Sequence, residues 1–501
     1  MSAARWPHPR TAEPVPRLRL VPPRAPRSGV PIVAVQLAAI FAGLAVLPLV
    51  KVVDNDFWWH LRTGQIIVTS GIPRHDPFSW SRAGAPWTTH EWLSEAIIYV
   101  TESMFGYVGN VLLFSGATVA ALWLMYALGR RMGAGTRPLV ALTLLAACVF
   151  GLFVTVRPQV FTWLLFAAYV HLICRDEDTR GREIWAIPAL MALWVNLHLG
   201  FFYGFLALGC WVAANVIRRL LGEPASIWRP AAVAGASLLA TFANPSGPAI
   251  LWYPVRYFTD ASVTKQYVQE WQRPHITDPF HAAIFIVAGV LLLAVASRTR
   301  PKPFLLLLAL ATAALSMQAV RNAPFAALVV VPVAGSAMAA RWRAATAEAD
   351  SGLRTPVPVA CAIVLLTVAI VGPVSMSVGG AFSFWSPATH NYPVAPTAYV
   401  AEHDAGKRVL NDYSNGGFEI AQWYPSTKVF VDGRTDFYGD QFLKDYIRML
   451  SVGDGWQAIF DRYAPQVVML PPATPLVKKL RAEPAWRVVY EDAEWVVLER
   501  R

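Results

Sequence analysis

The run Asp54-Asn-Asp-Phe-Trp-Trp-His-Leu-Arg62 places two carboxylates, a histidine and an arginine directly after a long apolar segment. Carboxylates there lose hydration and repel each other, so a pair of them faces water, a metal, or a cationic or hydroxylic ligand. Polar residues recur at the ends of later apolar runs: His90 and Glu91, Arg157 and Gln159, Asn196 and His198, Asn244, Glu270 with Arg273 and His275, and finally Arg321 and Asn322. Together with His60 and Arg62, this set suits binding of a polar substrate and transfer to a hydroxyl or amide acceptor. A carboxylate, Asp56 first and then Asp54 or Glu91, would orient or deprotonate the acceptor while arginines and amides neutralise a departing phosphate. Arg157 and Arg321 suit a lipid phosphate because a guanidinium fork bonds two oxygens. Asp54 and Asp56, with Glu91, could hold a divalent cation such as Mg or Mn, since hard cations prefer carboxylate oxygens.

Each of these residues also has a plainer reading. Asp56 stands where a helix N-cap would precede Phe57, and Glu91 where a helix dipole favours an acid. Asn196 and His198 could satisfy backbone broken between two short helices. Arg157 and Arg321 could snorkel to headgroups, and the tryptophans form an interfacial belt.

The elements that must position these residues are set by hydropathy. Of the 501 residues, 55% are hydrophobic and 15% charged, with a mean hydropathy of +0.41. Apolar runs close to the ~20 residues that cross a bilayer recur from Pro31 to Val378. After a disordered, arginine-rich tail (1–30), spans are expected at 31–53, 108–128, 138–156, 159–174, 184–198, 200–217, 230–244, 280–297, 303–320, 323–340 and 356–378, about eleven in all. The fold class is therefore a mainly α polytopic membrane domain, 31–378, whose first external loop, 54–107, carries two interfacial helices near 57–69 and 91–104. Residues 379–501 alternate strand-like and helical patterns. Strands are expected near Arg408, from Lys428 to Asp432, from Gln466 to Leu470 and in a terminal hairpin, which make a small α/β domain.

Charge then assigns sides. Of the 32 acidic residues, 15 lie in 381–501 against 13 Lys and Arg, leaving 30 basic and 17 acidic residues in 1–380. The +11 net charge thus belongs to short loops of the membrane part, which is a topology signal and no nucleic-acid footprint. The arginine-rich loops fall on one side, expected to be cytoplasmic with the N-terminus, in a bacterial plasma membrane. The candidate site residues and the C-terminal domain fall on the other. The four cysteines lie in or at the ends of apolar runs and imply no disulfide framework.

Two stretches carry a family resemblance. Asp56-Phe-Trp-Trp-His-Leu-Arg62 resembles the Asp-x-Trp-Phe-x-x-Arg run that opens the first external loop in the oligosaccharyltransferase catalytic subunit of the GT-C superfamily. Val409-Leu-Asn-Asp-Tyr-Ser-Asn-Gly-Gly-Phe-Glu-Ile-Ala421, followed by Val429-Phe-Val-Asp-Gly-Arg-Thr435, is similar in order and spacing to that family's Trp-Trp-Asp-Tyr-Gly segment and the Val-Asp after it. The resemblance implies an inverting glycosyltransferase that takes a sugar from a polyprenyl-phosphate carrier to an extracytoplasmic acceptor, with Asp56 essential and Arg157 or Arg321 on the donor phosphate. Leu410-Asn-Asp412 stands in place of Trp-Trp-Asp, so the likeness does not extend to reading a peptide sequon. A transporter or flippase with an external vestibule, and a non-catalytic assembly partner presenting its C-terminal domain, are the alternatives.

Overall fold

The structure, a computed structural model, describes residues 54–255, 266–278, 281–296, 302–349 and 392–501. The expected N-terminal tail and first span, and the last span at 356–378, lie outside the described residues.

Helix α1 (Phe57–Ser70) stops at Gly71, whose φ of 93° suits glycine alone. Helix α2 (Trp92–Arg131) joins the second interfacial helix to the following span. Gly106, at φ 65°, kinks it where the sequence separates the two. Next come α3 (Thr136–Phe150), α4 (Gln159–Thr179), α5 (Ala186–Leu197), α6 (Phe202–Leu220) and α7 (Trp228–Ala240). The helical part closes with α8 (Ala282–Val295), α9 (Pro303–Gln318) and α10 (Ala323–Ala349). The first part of α10 is apolar all round, and its stretch from Ala326 to Ala334 is wholly buried in the large helical core.

The apolar segments are cut differently from expectation. Among the described residues, three helices are long and apolar enough to cross a membrane: Trp92–Arg131, Leu199–Leu220 and Val320–Ala339. Pro138–Phe150, Ala282–Val295 and Pro303–Gln318 are apolar but shorter. Helix α4 runs beyond the expected 174 to Thr179, because Asp176 and Asp178 find cationic partners there. The expected division of 184–217 is present. His198 is fully extended (φ −164°, ψ 145°), and a short 3₁₀ turn, Leu199–Phe201, restarts the chain.

The C-terminal part carries a four-stranded sheet in the order β1-β2-β4-β3, from Val409–Asn411, Val467–Leu470, Val496–Arg500 and Trp486–Glu491. β1 runs parallel to β2, and the other pairs are antiparallel. Around the sheet pack α11 (Val394–His403), α12 (Gly416–Trp423), α13 (Asp440–Leu450), α14 (Trp456–Tyr463) and α15 (Pro475–Arg481). Lys428–Asp432 forms no strand of this sheet. Asn411 Oδ1 accepts the backbone N–H of Phe430 and of Val431 at 2.7 and 3.2 Å. Val429 instead pairs with the loop between α1 and α2, through Val429 N to Phe78 O (3.1 Å) and Trp80 N to Val429 O (2.9 Å). The core follows the same crossing: Trp59 of α1, with Phe78 and Trp87 of that loop, shares one apolar cluster with the C-terminal domain. Loop and domain are one packed unit.

Candidate active site

Asp56 occupies the N-cap position of α1 but makes no capping hydrogen bond through its side chain. Its carboxylate turns to Arg157, with Nη2 2.5 Å from Oδ2, and accepts from Trp59 Nε1 at 3.0 Å. Asp54 fixes this turn: its Oδ1 accepts the Asp56 N–H at 3.0 Å, and its Oδ2 lies 3.3 Å from Arg157 Nε. Arg157, just before α4, extends the chain of charges to Glu270 at 3.5 Å, and Glu270 lies 3.9 Å from Arg321. Arg321 also lays its guanidinium 4.2 Å over the ring of Trp271. Three carboxylates and two arginines, from segments far apart in the chain, thus meet in one row.

A second cluster adjoins it. The Nε2 atoms of His60, His90 and His198 lie 3.8, 3.5 and 3.4 Å from the Glu91 carboxylate. Nδ1 of His198 accepts the N–H of Gly200 at 2.9 Å, which leaves its Nε2 as the donor toward Glu91. His60 Nδ1 faces Glu95 at 3.3 Å.

Environment separates these groups electrostatically. Burial pushes Asp56 up, Arg157 works against it and Asp54 adds to it, so its carboxyl titrates at about 7. Burial would lower His90, but the Glu91 carboxylate overrides it and lifts the imidazole to about 9. Glu91 itself stays well below the usual carboxylate range, where the histidines overcome its burial. Burial drops His60 to about 3 and His198 to about 4 despite Glu91, so of the three imidazoles around Glu91 it is His90 that is charged at neutral pH.

Both clusters line a cleft of about 1080 Å³, measured out into solvent, which contains Asp56, His60, His90, Glu91, Arg157, Gln159, His198, Glu270, Arg321 and Asn322. Among solved structures, the chain is similar to the archaeal oligosaccharyltransferase AglB from Archaeoglobus fulgidus in complex with an inhibitory peptide and a dolichol-phosphate. That match has a TM-score of 0.61 at 12% identity, over 88% of this chain and 69% of that one. The chain has the GT-C fold. An Archaeoglobus fulgidus oligosaccharyltransferase tethered to an acceptor peptide containing the NVT sequon matches with a TM-score of 0.55 at 11% identity, over 88% and 69% of the two chains. ArnT from Cupriavidus metallidurans bound to undecaprenyl phosphate matches with a TM-score of 0.46 at 14% identity, over 93% and 97%. No family model and no curated protein sequence matches the chain.

The remaining candidates lie elsewhere. Arg273 and His275 line an adjoining pocket that shares Asp54, Arg157 and Glu270. Arg62 bonds the Ala421 carbonyl at 2.5 Å and Gln65 at 2.6 Å, holding the C-terminal domain against α1. Asn196 donates to the carbonyls of Ala192 and Ala243 and accepts from Trp92, while Asn244 satisfies its own turn through Thr241, Ser246 and Gly247. Broken backbone takes up both amides.

The carboxylates expected to share a divalent cation are spoken for by other groups. Asp54 and Asp56 both face Arg157, and Glu91 faces three imidazoles. Among the described residues, no group of three or more His, Cys, Asp or Glu is placed to hold a metal. As it stands, the donor set fits a guanidinium.

The cleft also contains Gly433, Arg434, Thr435 and Asp436 from the C-terminal domain, with Tyr413 and Tyr253. The sequence reads Arg434, like Asp412, Asn415 and Asp432, as a turn former between strands. Only the domain's closure onto α1 brings the C-terminal residues into the cleft. A Cβ on Gly433 would stand 2.0 Å from Asp56 Oδ1, so the backbone there rests directly on the carboxylate.

Proposed function

We propose that this chain is a GT-C glycosyltransferase that moves a sugar from a polyprenyl-phosphate donor to an acceptor outside the cytoplasm of a bacterium. The observation that carries this reading is the pairing, in one cleft, of a carboxylate that titrates near neutrality with an arginine available to a phosphate. Asp56 would take the proton of the acceptor hydroxyl or amide as the acceptor atom attacks the anomeric carbon. The bond from that carbon to the phosphate oxygen breaks, and the lipid phosphate leaves with the electron pair. One displacement inverts the anomeric centre.

The two arginines divide the work. Arg157 is committed to Asp54, Asp56 and Glu270. Among the described residues, Arg321 has only the 3.9 Å contact with Glu270 and the face of Trp271, so its fork is open to the donor phosphate. In this reading Arg157 supplies the positive charge expected of a cation beside Asp56, and transfer proceeds without added metal. The dolichol-phosphate and peptide bound to AglB support a lipid-linked donor. The acceptor here need not be a peptide, since Leu410-Asn-Asp412 replaces the sequon-reading segment.

The test is an assay of purified protein in nanodiscs with radiolabelled polyprenyl-phosphate sugars, with and without chelator. Donor cleavage coupled to acceptor labelling, lost in Asp56→Ala and unchanged by chelator, is the expected result. Movement of the lipid across the bilayer without cleavage would establish the transporter reading instead, and chelator-sensitive transfer would return the cation to the site.

A further inference from the structure

Arg434 is 2% exposed and heavily compensated. Its Nε and Nη2 bond both oxygens of Asp432 at 2.8 and 2.7 Å, and Nη2 lies 2.9 Å from Asp76. The guanidinium sits 4.5 Å over the ring of Trp87 and 4.9 Å over that of Phe437. Yet Nη1 is buried without a hydrogen-bond partner, and Arg434 is part of the cleft wall beside Gly433, whose backbone touches Asp56. A buried donor left unmade costs about as much as a lost hydrogen bond. Such a group, on a residue that lines a cleft, is satisfied when a ligand reaches it.

The charge balance selects that ligand. Two carboxylates already face one guanidinium, so the local charge is negative and a phosphate or carboxylate would be repelled. An uncharged oxygen is the matching acceptor. Resting on the glycosyl-transfer reading, we infer that Arg434 Nη1 donates to a saccharide hydroxyl in the cleft and that Arg434 is a sugar-selecting residue contributed by the C-terminal domain. The hydroxyl belongs either to the sugar being transferred or to an acceptor glycan. The phosphate is left to Arg321.

The test is a ligand-dependent thermal-shift titration of the full chain in detergent. The probes are undecaprenyl phosphate alone, undecaprenyl phosphate carrying mannose, glucose, galactose or arabinose, and the methyl glycosides of the same sugars. In the wild type, a sugar-bearing probe binds more tightly than its sugar-free counterpart. Arg434→Lys keeps the charge for Asp76 and Asp432 but removes Nη1, and should weaken only the sugar-dependent part, by about tenfold or more. The arm in which this loss occurs identifies the source of the hydroxyl. Should Arg434→Lys not fold, Arg434→Met combined with Asp76→Asn and Asp432→Asn neutralises the whole buried cluster, a change buried ion pairs tolerate, and should show the same loss. Asp76→Asn alone, which leaves Nη1 in place, should lower the ligand-free melting temperature and keep the sugar preference. Undiminished sugar binding in the Arg434 variants overturns the assignment and leaves Nη1 to a water. Equal loss of bare undecaprenyl phosphate also overturns it, by making Arg434 a phosphate ligand. A wild type indifferent to every lipid probe removes the glycosyl-transfer reading underneath.

Discussion

The candidate base is a carboxylate held between opposing influences. Arg157 and Trp59 favour its charged form, while burial and Asp54 oppose it, and the balance falls near neutrality. If Asp56 must be ionised to accept the acceptor proton, the transfer rate should rise with pH through about 7. Asp54→Asn should move that rise to lower pH, because it removes a neighbouring negative charge. An initial-rate profile for the two proteins checks both statements. Asp56→Asn should lower the rate by about a hundredfold or more, with the circular dichroism spectrum and gel-filtration profile unchanged. His90 carries a different consequence. Its pKa in the fold lies above the ordinary 6.5, at about 9. Its pairing with Glu91 therefore stabilises fully below pH 6.5, and the stabilisation is lost as pH rises through about 9. Melting temperature should fall across that window, and Glu91→Gln should flatten the fall.

At the scale of elements, the site is assembled by interrupted helices and close backbone approaches. His198 and Ala319 are each a single extended residue followed by a 3₁₀ turn that opens the next helix. Each break delivers a polar residue to the cleft, His198 in one case and Arg321 with Asn322 in the other. Tyr203 bonds Asn322 across the two breaks, tying them together. Glycine supplies the remaining proximity. A Cβ at Gly64 would stand 2.0 Å from the Glu95 backbone carbonyl oxygen, so α1 and α2 pack backbone to backbone. Gly64→Ala should destabilise the chain by about 1–3 kcal/mol, the usual cost of overpacking, measured as a lower melting temperature. Gly433→Ala is expected to act on activity. Its methyl would collide with the Asp56 carboxylate, so transfer should fall steeply while the melting temperature changes little.

At the scale of the molecule, charged groups gather at two ends of the helical body. The cleft lies before α4. At its last turn, Arg229 meets Asp176 at 2.6 Å, Arg131 meets Asp178 at 3.6 Å and Lys302 contacts Asp178. A helix of 21 residues separates the two groups by about 30 Å at 1.5 Å per residue, which is the thickness of a bilayer core. The C-terminal domain is fastened at the cleft end by Arg62 to Ala421, Arg82 to Tyr438 and Trp80 to Val409. Replacing Arg62 and Arg82 together with alanine should make residues 392–501 more sensitive to limited proteolysis and reduce transfer in parallel. Unchanged cleavage would show that the shared apolar cluster alone holds the domain.

That these polar groups share one end of the helical body was legible in the chain itself. Hydropathy and the placement of arginines follow local rules, and they suffice to put Asp56, Arg157, His198, Glu270 and Arg321 at one end. The split at His198 was legible for the same reason, since one unbroken helix would have reversed every later loop. The plainer reading of Asn196, satisfaction of broken backbone, is the one the fold shows; that Asn244 is consumed likewise while Arg321 keeps its fork open could not be told from local rules, because hydrogen-bond partners are set by three-dimensional neighbours. The same holds for the C-terminal residues. In the sequence, Asp432-Gly-Arg434 looks like a turn; in the fold, the loop before α2 and the domain share one apolar core, and burying that core lowers Gly433 onto Asp56 and makes Arg434 part of the cleft wall. Local pattern gathered the polar groups at one end of the molecule, and long-range apolar burial decided which side chains stand in the cleft there.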